Sequence, residues 1–256
     1  MYKLAIDYHT HTRYSHGRGT ILDNVEAARA KELKSIAITD HGFRHFLFGI
    51  TYSDIKKMRD EVTLLNQRFS DIDVLLGVES NLISLDGDID IPDEYLGFFD
   101  VILMGFHLGA RPASFRDGKE LIIKNVMDKL GLMHIDELRE RNTNAVIRAL
   151  ERHPISILTH PGAKIDIDSR KLAKAATLHC TALEINSSHG YMNLEHVKIA
   201  LEEGASFAIT SDAHTPDQVG DFKKGIEIAK AAGVPPCRII NSIEYIDLHK
   251  KGKKLR

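Results

Sequence analysis

The chain has 256 residues, 43% of them hydrophobic, with a formal net charge of −2. That length suits one α/β barrel or two small domains, and the charge balance excludes a global basic field of the kind that draws nucleic acid. No apolar run is long enough to span a bilayer, and Cys180 and Cys237 lack the spacing of a disulfide framework or a thiolate zinc site.

Short apolar runs alternate with helical patterns from the start. The first run is KLAIDYH, followed by a helix-like LDNVEAARAKEL with Leu22, Val25 and Leu33 as expected core contacts. SIAITDHG is the second run. A longer helix follows from Ser53 as expected N-cap, and its apolar stripe Ile55, Met58, Val62, Leu65 and Phe69 steps by three and four. VLLGVES and DVILMGFH are the third and fourth runs, and a less regular segment occupies about 108–141. PISILTHPG, TALEINSS and SFAITSDAH are the fifth, sixth and seventh, with helical patterns around 168–179, 193–204 and 216–233. The runs are continuously apolar, which suits strands buried on both faces of a parallel sheet. Seven such units without a linker-like break predict a single closed α/β barrel, with a doubly wound open sheet as the alternative.

The residues closing each run are unusual. They are His9 and His11, Asp40 and His41, Glu79, His107, His160, Glu184 and Asn186, then Asp212 and His214. In a parallel barrel all strand C-termini open onto one face, so these groups would meet in one cleft. His9 and His11 are two apart, so on an extended strand they point the same way and form a chelating pair, and His16 follows on a loop that can fold back over the mouth. Imidazole with carboxylate suits Zn, Mn or Fe, and Glu79 could bridge two cations.

These motifs resemble the PHP (polymerase and histidinol phosphatase) family. DYHTHTRYSHG is similar to its first motif, ITDHG to its second, LTHPG to its third and SDAH to its fourth, while GVES and GFH fill the intervening ligand positions. The resemblance spans nearly the whole chain and is nearest to the YcdX-like phosphatase subgroup. It implies a distorted, TIM-like (β/α)7 barrel, a single domain over 1–256 with the metal site at the C-terminal ends of the strands, and up to three divalent metal ions (Zn, Mn or Fe). Carried over, one ion would take His9, His11, Glu79 and Asp212, and a second would take Glu79 as a bridge with His107 and His160. A third would take His16, His41 and His214. The segment 108–141 is a candidate lid, since it directly follows His107.

The implied reaction is hydrolysis of a small-molecule phosphate monoester, with histidinol-phosphatase-like chemistry and a metal-bound hydroxide as nucleophile. Glu79, Asp212 and His214 would be catalytic through metal-bound water. The alternative is a 3′–5′ exonuclease acting on nucleic acid ends, which the acidic balance disfavours. A metal-stabilised binding module with a degenerate site and a metal-dependent amidohydrolase are further alternatives; the complete ligand set opposes the first, and the lack of a strand-end lysine opposes the second. The general acid is His16, His214 or metal-bound water. Asp7 either orients a ligand imidazole or bonds backbone at the barrel mouth, while Asp40 is read as a packing or loop residue. Asn186 is a candidate for substrate or water contact, and His189 is read as a solvated loop residue. Arg13, Arg44, Arg111 and Arg116 lie on loops after strand ends and are the candidates for phosphate binding. His134, His153, His179, His196 and His249 are read as ordinary packing or surface residues, Cys180 and Cys237 as small buried apolar groups, and the C-terminal KKGKKLR as a solvated tail. The expected partner is a small phosphorylated substrate or phosphate, with no membrane and with nucleic acid disfavoured, and homo-oligomerisation stays open. The first apolar stretch is too short for a signal peptide and Asp7 interrupts it, so a reducing cytoplasm is the expected location.

Overall fold

A computed structural model describes residues 2–132, 137–190 and 192–252, with the side chains of 250–252 excluded. His134 and most of the basic C-terminal tail lie outside these residues. Seven parallel strands follow one another in chain order: β1 (Ile6–Asp7), β2 (Ser35–Ile38), β3 (Asp73–Asn81), β4 (Val101–Gly105), β5 (Ile157–Leu158), β6 (Ala182–Asn186) and β7 (Phe207–Thr210). Each pairs with its neighbours in parallel register, for example Glu79 opposite Leu103 and Leu183 opposite Phe207. The predicted barrel is therefore present, with helices wrapped around it.

The strands are buried because both faces are covered. Ile36, Ile38, Leu76, Val78, Met104 and Ile185 pack under the helices, while Ala37, Leu103, Ile157, Ala182 and Ala208 form a smaller cluster among small side chains. This is the continuous apolar pattern of a helix-covered parallel sheet. The helix Tyr52–Arg68 buries Ile55, Met58, Val62 and Leu65, four of the five predicted stripe positions, and leaves Phe69 half-buried at its C-terminal end. Its N-cap is Thr51 rather than Ser53: the Thr51 hydroxyl donates to Asp54 Oδ2 at 2.6 Å and its amide to the same oxygen at 3.0 Å. The first helix, Ile21–Ala30, starts one residue earlier than expected, so Ile21 and Ala28 share its buried face with Val25 and Leu22 is half-buried. Cys180 and Cys237 are exposed, contrary to expectation, because one ends the turn after the helix Ser169–Leu178 and the other sits in a short 3₁₀ turn.

The β7–β1 seam is closed without a full strand ladder. At its N-terminal end, Ile239–Asn241 wedges in: Ile240 N donates to Phe207 O at 2.8 Å and Ala5 N to Asn241 O at 2.9 Å. The buried Asn241 amide donates to Ile6 O at 2.8 Å and to Ile209 O at 2.6 Å. Midway, Asp7 Oδ2 accepts from the Ser211 hydroxyl at 2.5 Å and Gly220 N at 2.8 Å. At the C-terminal end, Thr10 bridges Ala213.

The segment after His107 forms a short helix (Phe115–Asp117), a π-helical stretch (Gly118–Ile123) and a helix (Lys124–Lys129). It packs laterally: Asp117 accepts from Leu85 N at 2.9 Å, and Asn125 bonds Asn142. Among the described residues, no helix is long and apolar enough to cross a membrane.

Candidate metal centre

All nine residues singled out as ligands come together at the C-terminal face. The His9 and His11 Nε2 atoms lie 3.1 Å apart, and both approach Glu79 Oε2, at 3.3 and 3.6 Å, and Asp212 Oδ1, at 3.6 and 3.3 Å. The His107 and His160 Nε2 atoms are 3.2 Å apart and reach Glu79 Oε1 at 3.4 and 3.0 Å. His16 and His214 meet through their Nε2 atoms at 2.5 Å, and the His41 ring stacks on His16 with centroids 4.8 Å apart. These groups interlock: His11, His16 and His41 form one close donor set, His9, His11 and Asp212 another, and His41, Glu79 and His107 a third.

Glu79 is the hub. It is 1% exposed and surrounded by His9, His11, His41, His107 and His160. Burial alone would raise its pKa, but the neighbouring imidazoles, His107 and His9 foremost, hold it well below the ordinary carboxylate range. Asp212 behaves likewise: burial opposes ionisation, and His9 and His11 overcome it. Burial pushes His11 down to about 4, and burial with the neighbouring His41 and His214 pushes His16 down to about 3. These two rings are therefore neutral donors at physiological pH.

The arrangement fits divalent metal. Among the described residues, neither Glu79 nor Asp212 pairs with a lysine or arginine, so the ionisable groups facing these two buried carboxylates are imidazoles. Three pairs of ring nitrogens converge at close range, and a cation held among such lone pairs satisfies them together. An all-nitrogen-and-oxygen donor set suits Zn, Mn or Fe.

The ligands are fixed by outer contacts, several of which sequence reasoning missed. Glu184 Oε1 lies 2.6 Å from His9 Nδ1, and its Oε2 accepts from His160 N at 2.5 Å. Asn81 Oδ1 lies 2.7 Å from His107 Nδ1, and the Asn81 amide donates to the buried Asp90 at 2.6 Å. Asn186 donates to Glu184 and to Asp212 Oδ2 at 3.1 and 3.0 Å, a carboxylate-positioning role. Asp7 takes the backbone alternative at the seam, leaving the imidazole to Glu184. Asp40 pins the first loop, accepting from Thr12 N at 2.7 Å and the Ser15 hydroxyl at 2.5 Å. Two ligand positions, His160 (φ 31°) and Asp212 (φ 52°), hold a left-handed backbone that costs a non-glycine residue energy.

A cavity of about 210 Å³ opens over this cluster. Besides ligand candidates it is lined by His45, Phe48, Ala163, Lys164 and His189. His189, a solvent-exposed loop residue as expected, also lines the site; its Nε2 lies 3.2 Å from Asp212 Oδ2. Of the predicted phosphate-binding arginines, none lines the cavity, and Arg44 donates to Pro112 O at 2.9 Å instead. Lys164 is the one lysine or arginine on the described cavity wall, and no described residue of 108–141 contributes to it.

With that geometry in view, comparisons with known proteins are informative. The PHP domain family model matches residues 7–194. The probable phosphatase YcdX of Escherichia coli K12 is 30% identical, over 92% of this chain and 89% of its own length. The DNA polymerase/3′-5′ exonuclease PolX of Bacillus subtilis is 28% identical, over 94% of this chain but 40% of its own length. Among solved structures, histidinol phosphate phosphatase from Lactococcus lactis, complexed with zinc, L-histidinol and phosphate, superposes with a TM-score of 0.56 at 14% identity. That match covers 90% of this chain and 92% of the other and shows a common fold.

Proposed function

This chain belongs to the PHP domain family, and from that premise we propose that it is a metal-dependent phosphatase hydrolysing a small-molecule phosphate monoester, with histidinol-phosphatase-like chemistry. The observation that carries this reading is the clustering of nine nitrogen and oxygen ligand candidates around a buried carboxylate, Glu79, which five of the histidines approach, under a small cavity. His9, His11, Glu79 and Asp212 would hold one ion; Glu79, His107 and His160 a second; His16, His41 and His214 a third. When bound, divalent ions supply a water acidic enough to ionise near neutral pH and positive charge for the phosphoryl oxygens.

The chain's own residues do the rest. Glu79 is oriented by the Thr159 hydroxyl at 2.8 Å, so its two oxygens face opposite halves of the cluster. Asp212 is aimed by Asn186. Lys164 faces the cavity, where an ammonium adds charge complementary to the phosphoryl group. His189 has no coordinating duty in this scheme and stands at the cavity wall against Asp212, placed to hold the proton that the leaving oxygen requires.

The exonuclease reading draws on the similarity to PolX. Against it stand the net charge of −2 and a described cavity wall with one lysine or arginine, where a polynucleotide calls for a basic track. The test is elemental analysis of the purified protein with hydrolysis assays on a generic phosphomonoester and a generic phosphodiester. Metal with monoester turnover supports the phosphatase. Metal with diester turnover alone overturns it in favour of the exonuclease.

A further inference from the structure

Four rings form a closed circuit at the His16–His41 side of the cluster. His16 and His41 are stacked at 7° with centroids 4.8 Å apart, and His41 and His45 at 12° and 4.6 Å. His45 and Phe48 are stacked at 27° and 5.3 Å, and Phe48 returns to His16 at 25° and 4.8 Å. Such offsets are the favourable geometry for aromatic faces. Neither His45 nor Phe48 belongs to the ligand set.

The circuit coincides with a gap in the hydrogen bonding. Histidine ligands are ordinarily held by a partner on the ring nitrogen that does not face the metal. His9 has Glu184, His107 has Asn81, and the His214 Nδ1 has Asp212 O at 2.8 Å. His16 has none: its Nδ1 is buried without a hydrogen-bond partner. The His41 Nδ1 faces the hub carboxylate at 3.1 Å, and the His41 ring is flanked by its stacks on His16 and His45.

The loop that carries the two extra rings is rigidly built. His45 N donates to Gly42 O at 3.3 Å, Gly49 N to His45 O at 3.0 Å, Ile50 N to His41 O at 3.0 Å, and Phe46 N to Gly109 O at 2.8 Å. A Cβ on Gly49 would come within 2.6 Å of Gly42 O, and one on Gly109 within 2.8 Å of the His45 ring. Glycine at these positions lets the loop close and admits the His45 ring against its neighbour.

We infer that His45 and Phe48 are positioning residues: their stacked rings hold His16 and His41 in coordinating orientation, a task performed by hydrogen bonds at His9, His107 and His214. The inference rests on the metal reading above. It assigns the loop 42–50 a role in retaining the ion on the His16 side.

The test compares ring-removing with ring-keeping substitutions. Phe48→Leu and His45→Ala remove a ring; Phe48→Tyr and His45→Phe keep one. Each full-length protein is loaded with Zn²⁺, dialysed against buffers of fixed free Zn²⁺, and analysed for bound metal. The Co²⁺ form is followed by its visible absorption as a second readout. Phe48→Leu and His45→Ala should weaken one metal equivalent by about tenfold or more, the scale of lost outer contacts, and alter the Co²⁺ spectrum. Phe48→Tyr and His45→Phe should stay within about twofold of wild type. Ring-removing variants that bind metal like wild type overturn the inference, including the case where only KM shifts, which would make Phe48 a substrate contact. Equal loss in ring-keeping variants also overturns it. A wild-type protein that takes up no Zn²⁺ overturns the metal reading itself and this inference with it.

Discussion

Glu184 Oε1 lies 2.6 Å from His9 Nδ1, and both side chains are fully buried. The same oxygen accepts from the Thr210 hydroxyl at 2.6 Å, while the other takes the His160 amide, so one carboxylate ties strands β5, β6 and β7 to the first histidine. Burial would deprotonate His9, but the Glu79, Asp212 and Glu184 carboxylates together keep its pKa well above the usual range. In the metal-loaded protein the same contact would fix the tautomer, with the proton on Nδ1 and Nε2 turned to the site. Glu184→Gln keeps the shape but removes the charge. It should lower metal affinity and turnover about 10- to 100-fold while circular dichroism stays unchanged. Wild-type affinity and turnover in that variant would mean the contact is packing alone.

Glu79 touches both halves of the cluster, with Oε2 beside His9, His11 and His41 and Oε1 beside His107 and His160. Glu79→Gln should therefore lose metal and activity together, with at least two equivalents affected in elemental analysis. Asp212→Ala should lose metal and activity together as well. Full metal content with full turnover in either variant would show the hub assignment to be wrong. A loss confined to one equivalent in Glu79→Gln would leave it as a terminal ligand.

Lys164 supplies the only ammonium or guanidinium on the described cavity wall. Lys164→Met should raise KM for a phosphomonoester and the inhibition constant of inorganic phosphate by similar factors, about tenfold each. That is the size of one charge-assisted hydrogen bond. Bound metal should not change. If KM and phosphate inhibition both stay at wild-type values, the lysine does not contact the phosphoryl group.

Much of this site was legible because barrel geometry turns seven strand ends into one face, so reading the ends of the apolar runs found eight of the nine ligand candidates, and His16 followed on the loop after the first. For Asp7 the sequence left two roles open, and the structure takes the backbone one. β1 ends at Asp7, so Asp7 turns to Ser211 and Gly220 instead of following His9 toward the site. Glu184 was seen as a strand end without a role, since nothing local says which imidazole it will meet across the barrel. His45 carries no periodic or motif signal; its importance exists only through the stack with His41. None of the four strand-end-loop arginines lines the cavity, and Arg44 donates to a backbone carbonyl instead.

The seam between β7 and β1 offers a test of fold independent of chemistry. Asn241 is fully buried and donates to carbonyls on both sides of the gap, while its own oxygen lies 3.2 Å from Ile209 N. Truncation in Asn241→Ala leaves two buried carbonyls and one amide without partners. Unsatisfied buried groups cost about 1–3 kcal/mol each before relaxation or entry of water, so a net loss of roughly 3 kcal/mol is expected. For a domain of this size that lowers Tm by roughly 10 °C. The metal ligands sit at the opposite end of the strands, so kcat/KM and bound metal measured well below Tm should match wild type. An unchanged Tm would mean that the wedge Ile239–Asn241 closes the seam through its backbone bonds alone. A lost metal equivalent at low temperature would mean instead that closure at the barrel floor reaches the mouth, through β1 and the His9–His11 pair that follows it.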